Sequence, residues 1–263
     1  MHHNVLGETA VVPLSSLSVF FPAYNDAPAI AKLVEEAFVF GSRCTADLEV
    51  IVIDDGSSDD TAASVERLAP RYGPRLRLIR HPENRGYGGA LRTGFLEATK
   101  EFVFYTDGDG QYDVSQLPDL AACVNPEVGL VNGYKTTRSD PWPRVVAGKL
   151  YLLAVRLLFR LKVRDVDCDF RLIRRSVLEG VELSSSSGAI CVELVRSIQE
   201  SGCEIREVAV RHLPRRHGVS QFFRFKHIWR TMVDLSELFR KLAVRRRPQR
   251  FRFPEIGPAS GSQ

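Results

Sequence analysis

Two aspartates separated by a single residue, Asp107 and Asp109, follow the apolar run 102–106 (FVFYT) directly. Alternate residues of an extended chain point to the same side, so both carboxylates can reach one hard cation. Gln111 adds a neutral oxygen two positions later. Magnesium binds one or two carboxylates and takes its other ligands from water and phosphate, so this DxD spacing predicts a Mg²⁺ or Mn²⁺ site that works with a diphosphate. An acidic surface turn has the same composition, but the preceding apolar strand favours the functional interpretation.

A second acidic segment, 54–61 (DDGSSDDT), follows the apolar run 48–53 (LEVIVI). Its carboxylates are suited to accept hydrogen bonds from a base or a ribose hydroxyl. Ser58 or Asp59 is expected to cap the helix that follows. Helix capping alone would explain the cluster of Ser, Asp and Thr, whereas two aspartates before the glycine favour ligand binding.

The glycine-rich segment 85–90 (RGYGGA) precedes a predicted helix. The amides at a helix N-terminus attract anions, so the segment is suited to phosphate. It lacks both the G-x-G-x-x-G spacing and the Lys-Ser/Thr of a P-loop, which argues against dinucleotide and ATP chemistry. A tight turn that requires glycine is an equally good interpretation.

The apolar runs and the segments between them predict an α/β protein. Strands are expected at 17–21, 48–53, 76–79 and 102–106, with helices at 27–40 and 90–99. This alternation predicts a sheet wound by right-handed crossovers, with ligands gathered at the carboxyl ends of the strands. After Gly133 the pattern is less regular, and we expect helices at about 144–161 and 190–200 and a strand at 204–212.

Composition limits the classes of protein to consider. The chain has 263 residues, of which 44 % are hydrophobic and 26 % charged, as in one large globular domain. We find no apolar run near the roughly 18 residues of a spanning helix and no secretory leader, so we expect a cytoplasmic location, either free or peripheral at the inner face of the membrane. The five cysteines are odd in number and contain no CxxC pair, which predicts reduced thiols.

Positive charge is concentrated near the C-terminus. Residues 206–252 hold 14 Lys/Arg against 3 Asp/Glu, while the whole chain has a net charge of +4. Such asymmetry indicates a polyanionic partner. Residues 221–247 also mix aromatic residues with cations at helical spacing, which fits a helix in a membrane interface, a helix packed on its own domain, or a contact in a homodimer. A nucleic-acid-binding module fits less well, because the acidic strand ends would repel phosphate.

In combination, these segments resemble the inverting glycosyltransferases of family 2 with the GT-A fold, and among them the dolichyl and polyprenyl-phosphate sugar synthases. The matching segments occur in the expected order and cover most of residues 17–222: FPAYND (21–26), VIDDGSSDDT (52–61), ENRGYGGALRTGF (83–95), TDGDGQYD (106–113), VRDVDCDFRLIRRSVL (163–178) and RRHGVSQF (215–222).

The resemblance implies a mixed sheet flanked by helices, with amphipathic helices at the C-terminal end. It also implies transfer of a sugar from a UDP- or GDP-linked donor to a polyprenyl phosphate; the alternative acceptor is a soluble or protein hydroxyl. We expect four segments: an N-terminal extension, a GT-A catalytic domain, a basic amphipathic helical segment and a flexible tail, at 1–16, 17–220, 221–253 and 254–263.

By the same resemblance, the donor site is assigned residue by residue. The residues implied to surround the nucleoside are Pro22, Tyr24, Asp26, Ile53 and Asp55. Asp107, Asp109 and Gln111 are implied to hold the metal and the diphosphate, with Gly108 lining the same pocket. Arg215 is implied to reach the diphosphate.

Three positions depart from the family pattern. Gln221 replaces a lysine, which removes one cation from the donor loop. Asp26 stands where glutamate is usual, and Asp169 stands where glycine is usual. Asp169 is either a base for a hydroxyl acceptor or an ion-pair partner of Arg171 and Arg174, and we favour the ion pair.

The acceptor determines which further residues are needed. A lipid phosphate is already an anion and needs no general base, and Arg138 and Arg144 are suited to position it, beside Gln221. A hydroxyl acceptor needs a carboxylate to remove its proton, and the candidates are Asp169 and Glu193. In both cases Asp109 is predicted to be catalytic through the metal.

Overall fold

The protein is described by a computed structural model that covers residues 14–136, 142–214 and 225–244. Its strands are β1 (Leu17–Ala23), β2 (Leu48–Asp54), β3 (Leu76–Arg80), β4 (Phe102–Thr106), β5 (Val128–Lys135), β6 (Phe170–Arg174) and β7 (Glu204–Val210). Its helices are α1 (Ala27–Gly41), α2 (Thr61–Glu66), α3 (Ala69–Tyr72), α4 (Tyr87–Glu97), α5 (Leu117–Ala121), α6 (Trp142–Phe159), α7 (Arg175–Leu178), α8 (Ala189–Ser201) and α9 (Phe225–Val244).

The seven strands form one mixed sheet in the order β3-β2-β1-β4-β6-β5-β7. The first four strands are parallel, as the alternation of apolar runs and helices predicts. β6 runs antiparallel to both of its neighbours, β4 and β5, and β5 is parallel to β7. The parallel half brings the carboxyl ends of β1, β2 and β4 to one edge of the sheet, where ligands collect in such folds.

Helices cover both faces of the sheet. On one face, α1 and α5 bury Ile30, Leu33 and Leu117 against the sheet. On the other face, α4, α6, α8 and α9 contribute a second apolar cluster that includes Leu91 and Phe159. β1, β2 and β4 are buried on both faces, which explains their nearly continuous apolar sequences.

Several elements differ from the sequence-based expectation. β5 and β6 were not predicted, and α4 begins at Tyr87, so that the glycine-rich segment forms its first turn. β7 ends at Val210, two residues before the predicted end. The five cysteines are free thiols, as predicted.

α9 lies against its own domain. It contacts α8, and Leu235 and Leu238 are each 5 % exposed in the cluster that it shares with α8 and α6. The basic segment had three interpretations, and the structure shows one of them: one face of α9 packs on its own domain. No helix among the described residues has the length and apolar character needed to cross a bilayer. The four predicted segment boundaries stay a prediction, since residues 1–13 and 245–263 lie outside the described ranges.

A close backbone approach fixes the start of α4. The backbone N–H of Gly88 donates to the carbonyl of Ser186 at 3.1 Å. A Cβ atom at Gly88 would lie 2.1 Å from the carbonyl oxygen of Ser185. We name residues 184–187 the serine loop; α4 rests directly on it, and only glycine fits at the point of contact.

Gly88→Ala is expected to lower the free energy of unfolding by about 1–3 kcal/mol, because the methyl group displaces the serine loop. The sign is informative, since alanine normally stabilises a helix by about 1 kcal/mol relative to glycine. Urea denaturation measures the difference. Glu66→Ala is the control, since Glu66 is exposed on α2 and its replacement should change the free energy of unfolding by only about 0.5 kcal/mol or less. Equal losses in both variants would contradict the close contact.

Candidate active site

The loops that follow β1 and β2 are joined by hydrogen bonds. Asn25 has a φ of 57°, a left-handed conformation that asparagine tolerates. Its side-chain oxygen accepts from the N–H of Ser58 at 2.9 Å, and its own N–H donates to Ser57 Oγ at 3.0 Å. The N–H of Asp26 donates to Thr61 Oγ1 at 2.9 Å. Part of the Ser/Asp/Thr cluster therefore positions the loop that carries Tyr24 and Asp26.

Asp55 is buried and held from two directions. Its Oδ1 accepts from the N–H of Arg85 at 2.9 Å and lies 2.6 Å from Nδ1 of His81. The other ring nitrogen of His81 lies 2.9 Å from Thr93 Oγ1 on α4. His81 was not among the predicted site residues. Its position directly after β3, next to the acidic ends of β1, β2 and β4, could have indicated a role in the site.

The preceding residue, Asp54, makes different contacts. Neighbouring residues of a strand point to opposite faces, so Asp54 turns away from Asp55. Its Oδ1 accepts from the N–H of Ser57 at 2.9 Å, and its Oδ2 lies 3.6 Å from Nε of Arg80. A cavity of about 440 Å³ opens here, lined by Asp54, Gly56, Ser57, Arg80, His81 and Pro82.

Gly108 lies against the end of β1. Its N–H donates to the carbonyl of Pro22 at 3.1 Å. A Cβ atom at Gly108 would lie 2.8 Å from that carbonyl oxygen and 3.2 Å from Oδ2 of Asp26. The structure therefore brings together three of the predicted donor residues, Pro22, Asp26 and Gly108.

Asp107 accepts a hydrogen bond from the hydroxyl of Tyr87, at 2.8 Å. Burial, followed by the neighbouring charges of Asp169 and Asp109, raises the pKa of Asp107 well above its ordinary value. Tyr87 was not a predicted site residue, although it lies in the glycine-rich segment that was singled out. The first turn of α4 thus reaches the acidic centre through a side chain.

Asp109 and Gln111 tie the acidic segment to the chain that follows β7. Asp109 Oδ1 accepts from the N–H of Gln111 at 3.0 Å. The carbonyl of Gln111 accepts from the N–H of Leu213 at 2.7 Å, and its side-chain amide donates to the carbonyl of Leu213 at 3.3 Å. The segment around Leu213 leads to Arg215, which itself lies outside the described residues.

A fully buried arginine lies beneath the acidic centre. Arg171 is 0 % exposed and donates to Asp169 Oδ1 and to Asn132 Oδ1, each at 2.7 Å. It also donates to the Tyr105 hydroxyl and to the carbonyl of Val166. The ion pair favoured by the sequence is therefore present between Asp169 and Arg171.

The second predicted partner of Asp169 lies elsewhere. Arg174 pairs with Glu101, with 2.6 Å between NH1 and Oε1. The predicted ion pair between Arg174 and Asp169 was therefore wrong. Asp169 Oδ1 instead accepts from the thiol of Cys191 at 3.1 Å and from the hydroxyl of Tyr105 at 3.2 Å. One oxygen of Asp169 is therefore occupied by hydrogen bonds within the protein.

Lys135, at the end of β5, is a second cation beneath the site. Its Nζ donates to the carbonyl of Asp167 at 2.6 Å and lies 3.8 Å from Oδ2 of Asp165. Although burial opposes the charge, Asp165 and the neighbouring acidic groups hold the pKa of Lys135 above its ordinary value. Burial raises the pKa of Asp167 to about 6, even against the charge of Lys135.

Glu193 faces the serine loop. Its two oxygens accept from the N–H and hydroxyl of Ser184 and from the N–H of Ser185, at 2.9–3.0 Å. The carboxylate is buried on α8. Its role as a base stays a prediction, but this bonding favours a role in holding the serine loop.

The remaining predicted nucleoside residues differ in accessibility. Tyr24 is 40 % exposed at the carboxyl edge and is available to a ligand. Ile53 is 0 % exposed and packs in the same cluster as Ala90 and Leu91. Its side chain belongs to the core, because α4 covers it, so the predicted contact of this side chain with the nucleoside is not supported.

The side chains of the predicted acceptor residues lie outside the described part of the chain. Arg138 and Gln221 lie outside the described residues. Arg144 is on α6, but its side chain is also outside them. Their roles stay predictions.

The acidic centre suits a cation that brings other ligands with it. Within the described ranges, no three His, Cys, Asp or Glu side chains converge closely enough to hold a metal ion alone. Asp107 and Asp109 are nevertheless close enough to disfavour each other's charge. Magnesium and manganese bind such oxygen pairs and complete their shell with phosphate and water, so the residues fit the predicted metal.

The sheet order and its acidic carboxyl edge define the GT-A class of glycosyltransferases. Glucosyl-3-phosphoglycerate synthase from Mycobacterium tuberculosis, in complex with Mn²⁺, UDP and glucosyl-3-phosphoglycerate, has this fold with a TM-score of 0.66 and 19 % identity, over 88 % of this chain and 81 % of that chain. Its complex with Mg²⁺ and UDP gives a TM-score of 0.66 at 17 % identity, over 88 % and 80 %. At these identities the likeness concerns the fold alone.

The sequence identifies the family. The model of glycosyl transferase family 2 matches residues 18–181, and the chain belongs to that family. The dodecaprenyl-phosphate galacturonate synthase of Rhizobium johnstonii is 25 % identical over 260 residues, which cover 98 % of this chain and 76 % of that protein. The undecaprenyl-phosphate 4-deoxy-4-formamido-L-arabinose transferase of Serratia proteamaculans is 25 % identical over 225 residues, or 86 % and 68 %.

Arg171→Met is expected to lower the free energy of unfolding by about 3–5 kcal/mol, because it leaves the Asp169 carboxylate without its buried partner. Urea denaturation measures the loss. Arg71→Met is the control, since Arg71 forms a solvent-exposed pair with Glu35 at 2.9 Å and should lose only about 0–1 kcal/mol. Similar losses at both positions would show that the buried network is not an important source of stability.

Asp167→Asn is expected to raise the melting temperature at about pH 8. The folded protein holds the Asp167 proton up to about pH 6, whereas an unfolded aspartate releases it near pH 4, so the charged form destabilises the fold. The gain should shrink as the pH falls through about 6 and vanish below about 4. Melting curves across this range test the sign, with the exposed Asp119→Asn as control. A variant that is less stable than the wild type at pH 8 would refute it.

Proposed function

We propose that this protein transfers a sugar, with inversion at the anomeric carbon, from a nucleotide-diphosphate sugar to a polyprenyl phosphate. The observation that carries the proposal is the acidic pair of Asp107 and Asp109, which directly follows β4 at the carboxyl edge of a family 2 sheet. Relatives named as polyprenyl-phosphate sugar transferases match 98 % and 86 % of the chain, which supports this acceptor.

The donor would lie along the edge formed by β1, β2 and β4. Pro22, Asp26 and Gly108 form one wall, and Asp55 offers a fixed carboxylate to the nucleoside from the other side. Tyr24 is exposed beside them. UDP in the structural neighbours makes a uridine donor the first to test, with GDP-linked sugars second.

The diphosphate would be bound at the acidic centre. Asp107, Asp109 and Gln111 would hold Mg²⁺ or Mn²⁺ there, together with phosphate oxygens and water. When bound, the metal neutralises charge that develops on the departing nucleotide diphosphate. The hydroxyl of Tyr87 fixes the orientation of Asp107, and Arg215 would add a cation from the segment after Leu213.

The state of the other carboxylates supports a phosphate acceptor. A polyprenyl phosphate is an anion at neutral pH, so its oxygen can attack without a general base. The two predicted bases are both engaged: Asp169 with Arg171, and Glu193 with the serine loop. Arg138, Arg144 and Gln221 remain the proposed contacts of the acceptor phosphate.

A hydroxyl acceptor is the second candidate, and one observation favours it. The pKa of Asp167 is raised to about 6, which suits a general base at neutral pH. The two acceptors are separated by offering the enzyme a polyprenyl phosphate and the matching dephosphorylated prenol with UDP- and GDP-sugars. Glycosylation of the phosphate only, with an inverted anomeric centre by NMR, is the expected result. Glycosylation of the free alcohol would favour the second candidate.

Asp109→Ala is expected to reduce the rate of sugar transfer by at least about 100-fold, because a ligand of the charge-neutralising cation is lost. The melting temperature should stay close to that of the wild type. Product formation is measured by mass spectrometry in the presence of Mn²⁺. The matched control is Asp119→Ala, an exposed aspartate on α5. A folded Asp109→Ala variant with the wild-type rate would overturn the assignment of the metal site.

A further inference from the structure

The outer face of α6 is apolar. Leu150, Leu153, Leu157 and Leu158 are 63 %, 54 %, 71 % and 51 % exposed, and Ala154 between them is exposed as well. A surface helix of a globular domain normally directs charged residues outward. Single exposed leucines are common, but a row of them at helical spacing forms a continuous patch.

The inner face of the same helix is packed on the domain. Val155 and Phe159 are 4 % and 3 % exposed in the cluster that α6 shares with α8 and α9. Tyr151 and Leu152 are partly buried against that cluster. α6 is therefore held by the fold through one face, and the leucines project from the other.

The apolar patch continues onto α9. The ring of Phe239 meets the ring of Phe159 edge to face at 6.2 Å, and Phe239 is 44 % exposed. Met232, seven residues earlier and thus on the same side of α9, is 55 % exposed. We define the α6–α9 apolar surface by its exposed members, which are Leu150, Leu153, Leu157, Leu158, Met232 and Phe239.

The charges around this surface are cationic. α6 contains no Asp or Glu over its 18 residues, but carries Arg144, Lys149 and Arg156 in its sequence. Arg160, directly after α6, and Arg240, beside Phe239, are exposed.

The two acidic residues of α9 contact groups other than Arg160 and Arg240. Asp234 accepts from the N–H groups of Ser186 and Ser187 in the serine loop, at 3.3 and 3.1 Å. Glu237 lies 3.2 Å from Lys241. The sequence adds five arginines and no acid between residues 245 and 252.

We infer that the α6–α9 apolar surface docks onto an anionic lipid bilayer. Apolar side chains bordered by cations are the combination that places a helix in the interface of an anionic membrane. A second copy of this chain is a poorer occupant, because it would bring the same cations against each other. The inference rests on the proposed function, because a polyprenyl acceptor resides in a bilayer and the enzyme must reach it there. The position of the docking site follows from the α6–α9 apolar surface itself.

The test is flotation of the full chain with vesicles of phosphatidylcholine that contain or lack phosphatidylglycerol. The test variant is Leu153→Glu with Leu157→Glu. The matched control is Val39→Glu, which changes a 53 % exposed apolar residue on α1, on the opposite face of the sheet. Melting temperature and sedimentation are recorded for each protein, so that folding and oligomeric state are known.

The wild type and Val39→Glu are expected to float with anionic vesicles, and the double variant to bind at least about tenfold more weakly while remaining folded. Wild-type protein that does not float, or a double variant that floats equally well, would overturn the inference. So would a wild-type dimer that dissociates in the double variant without vesicle binding, because the surface would then be a contact between copies.

A vesicle-free assay with a short, water-soluble prenyl phosphate separates this inference from the proposed function. The double variant should glycosylate that acceptor at the wild-type rate but lose rate with long-chain acceptor in vesicles. If neither protein uses the soluble acceptor, the proposed function fails, whereas flotation still reports on the surface.

Discussion

Arg171 is a permanent cation without solvent exposure, placed on the strand between β4 and β5. A buried guanidinium is tolerated only when its donors are satisfied and a counter-charge is near. Here the donors are directed to Asp169, Tyr105, Asn132 and the carbonyl of Val166. The resulting ion pair keeps a carboxylate close to Asp107, where repulsion alone would disfavour it. Lys135 acts in the same way for Asp165, and it also donates to the backbone carbonyl of Asp167. The acidic edge of the sheet therefore depends on two cations beneath it.

Above these cations, the site is assembled from short segments that brace one another. The loop after β1 is bonded to the loop after β2, Asp55 is fixed by the end of β3 and the start of α4, and the acidic segment after β4 is bonded to the chain after β7. The serine loop joins three helices: it touches α4 at Gly88 and is held by Glu193 of α8 and Asp234 of α9. Most polar groups that appeared free to bind a ligand have a structural partner as well.

β1, β2 and β4 were predictable because each is buried on both faces and reads as a nearly continuous apolar run. The acidic strand ends followed from that arrangement. β6 was missed although its sequence, FRLIR, is close to that of β3, LRLIR, because it follows the polar run 164–169 and stands outside the regular alternation of strands and helices. His81, Tyr87 and Lys135 were missed for another reason: their partners are distant in sequence, and no local pattern encodes such pairs. Ile53 was assigned to the nucleoside site by family resemblance, whereas its side chain is 0 % exposed in the core beneath α4.

The position of β6 also has a consequence for biosynthesis. β6 comprises residues 170–174, yet it lies between β4 and β5, which end at residues 106 and 135. Until β6 leaves the ribosome, the adjoining edges of β4 and β5 have no partner strand, although both are rich in apolar residues. Unpaired apolar edges of this kind promote aggregation of nascent chains. The sheet of this protein therefore cannot be completed strand by strand in chain order during translation, because its middle strand is inserted late.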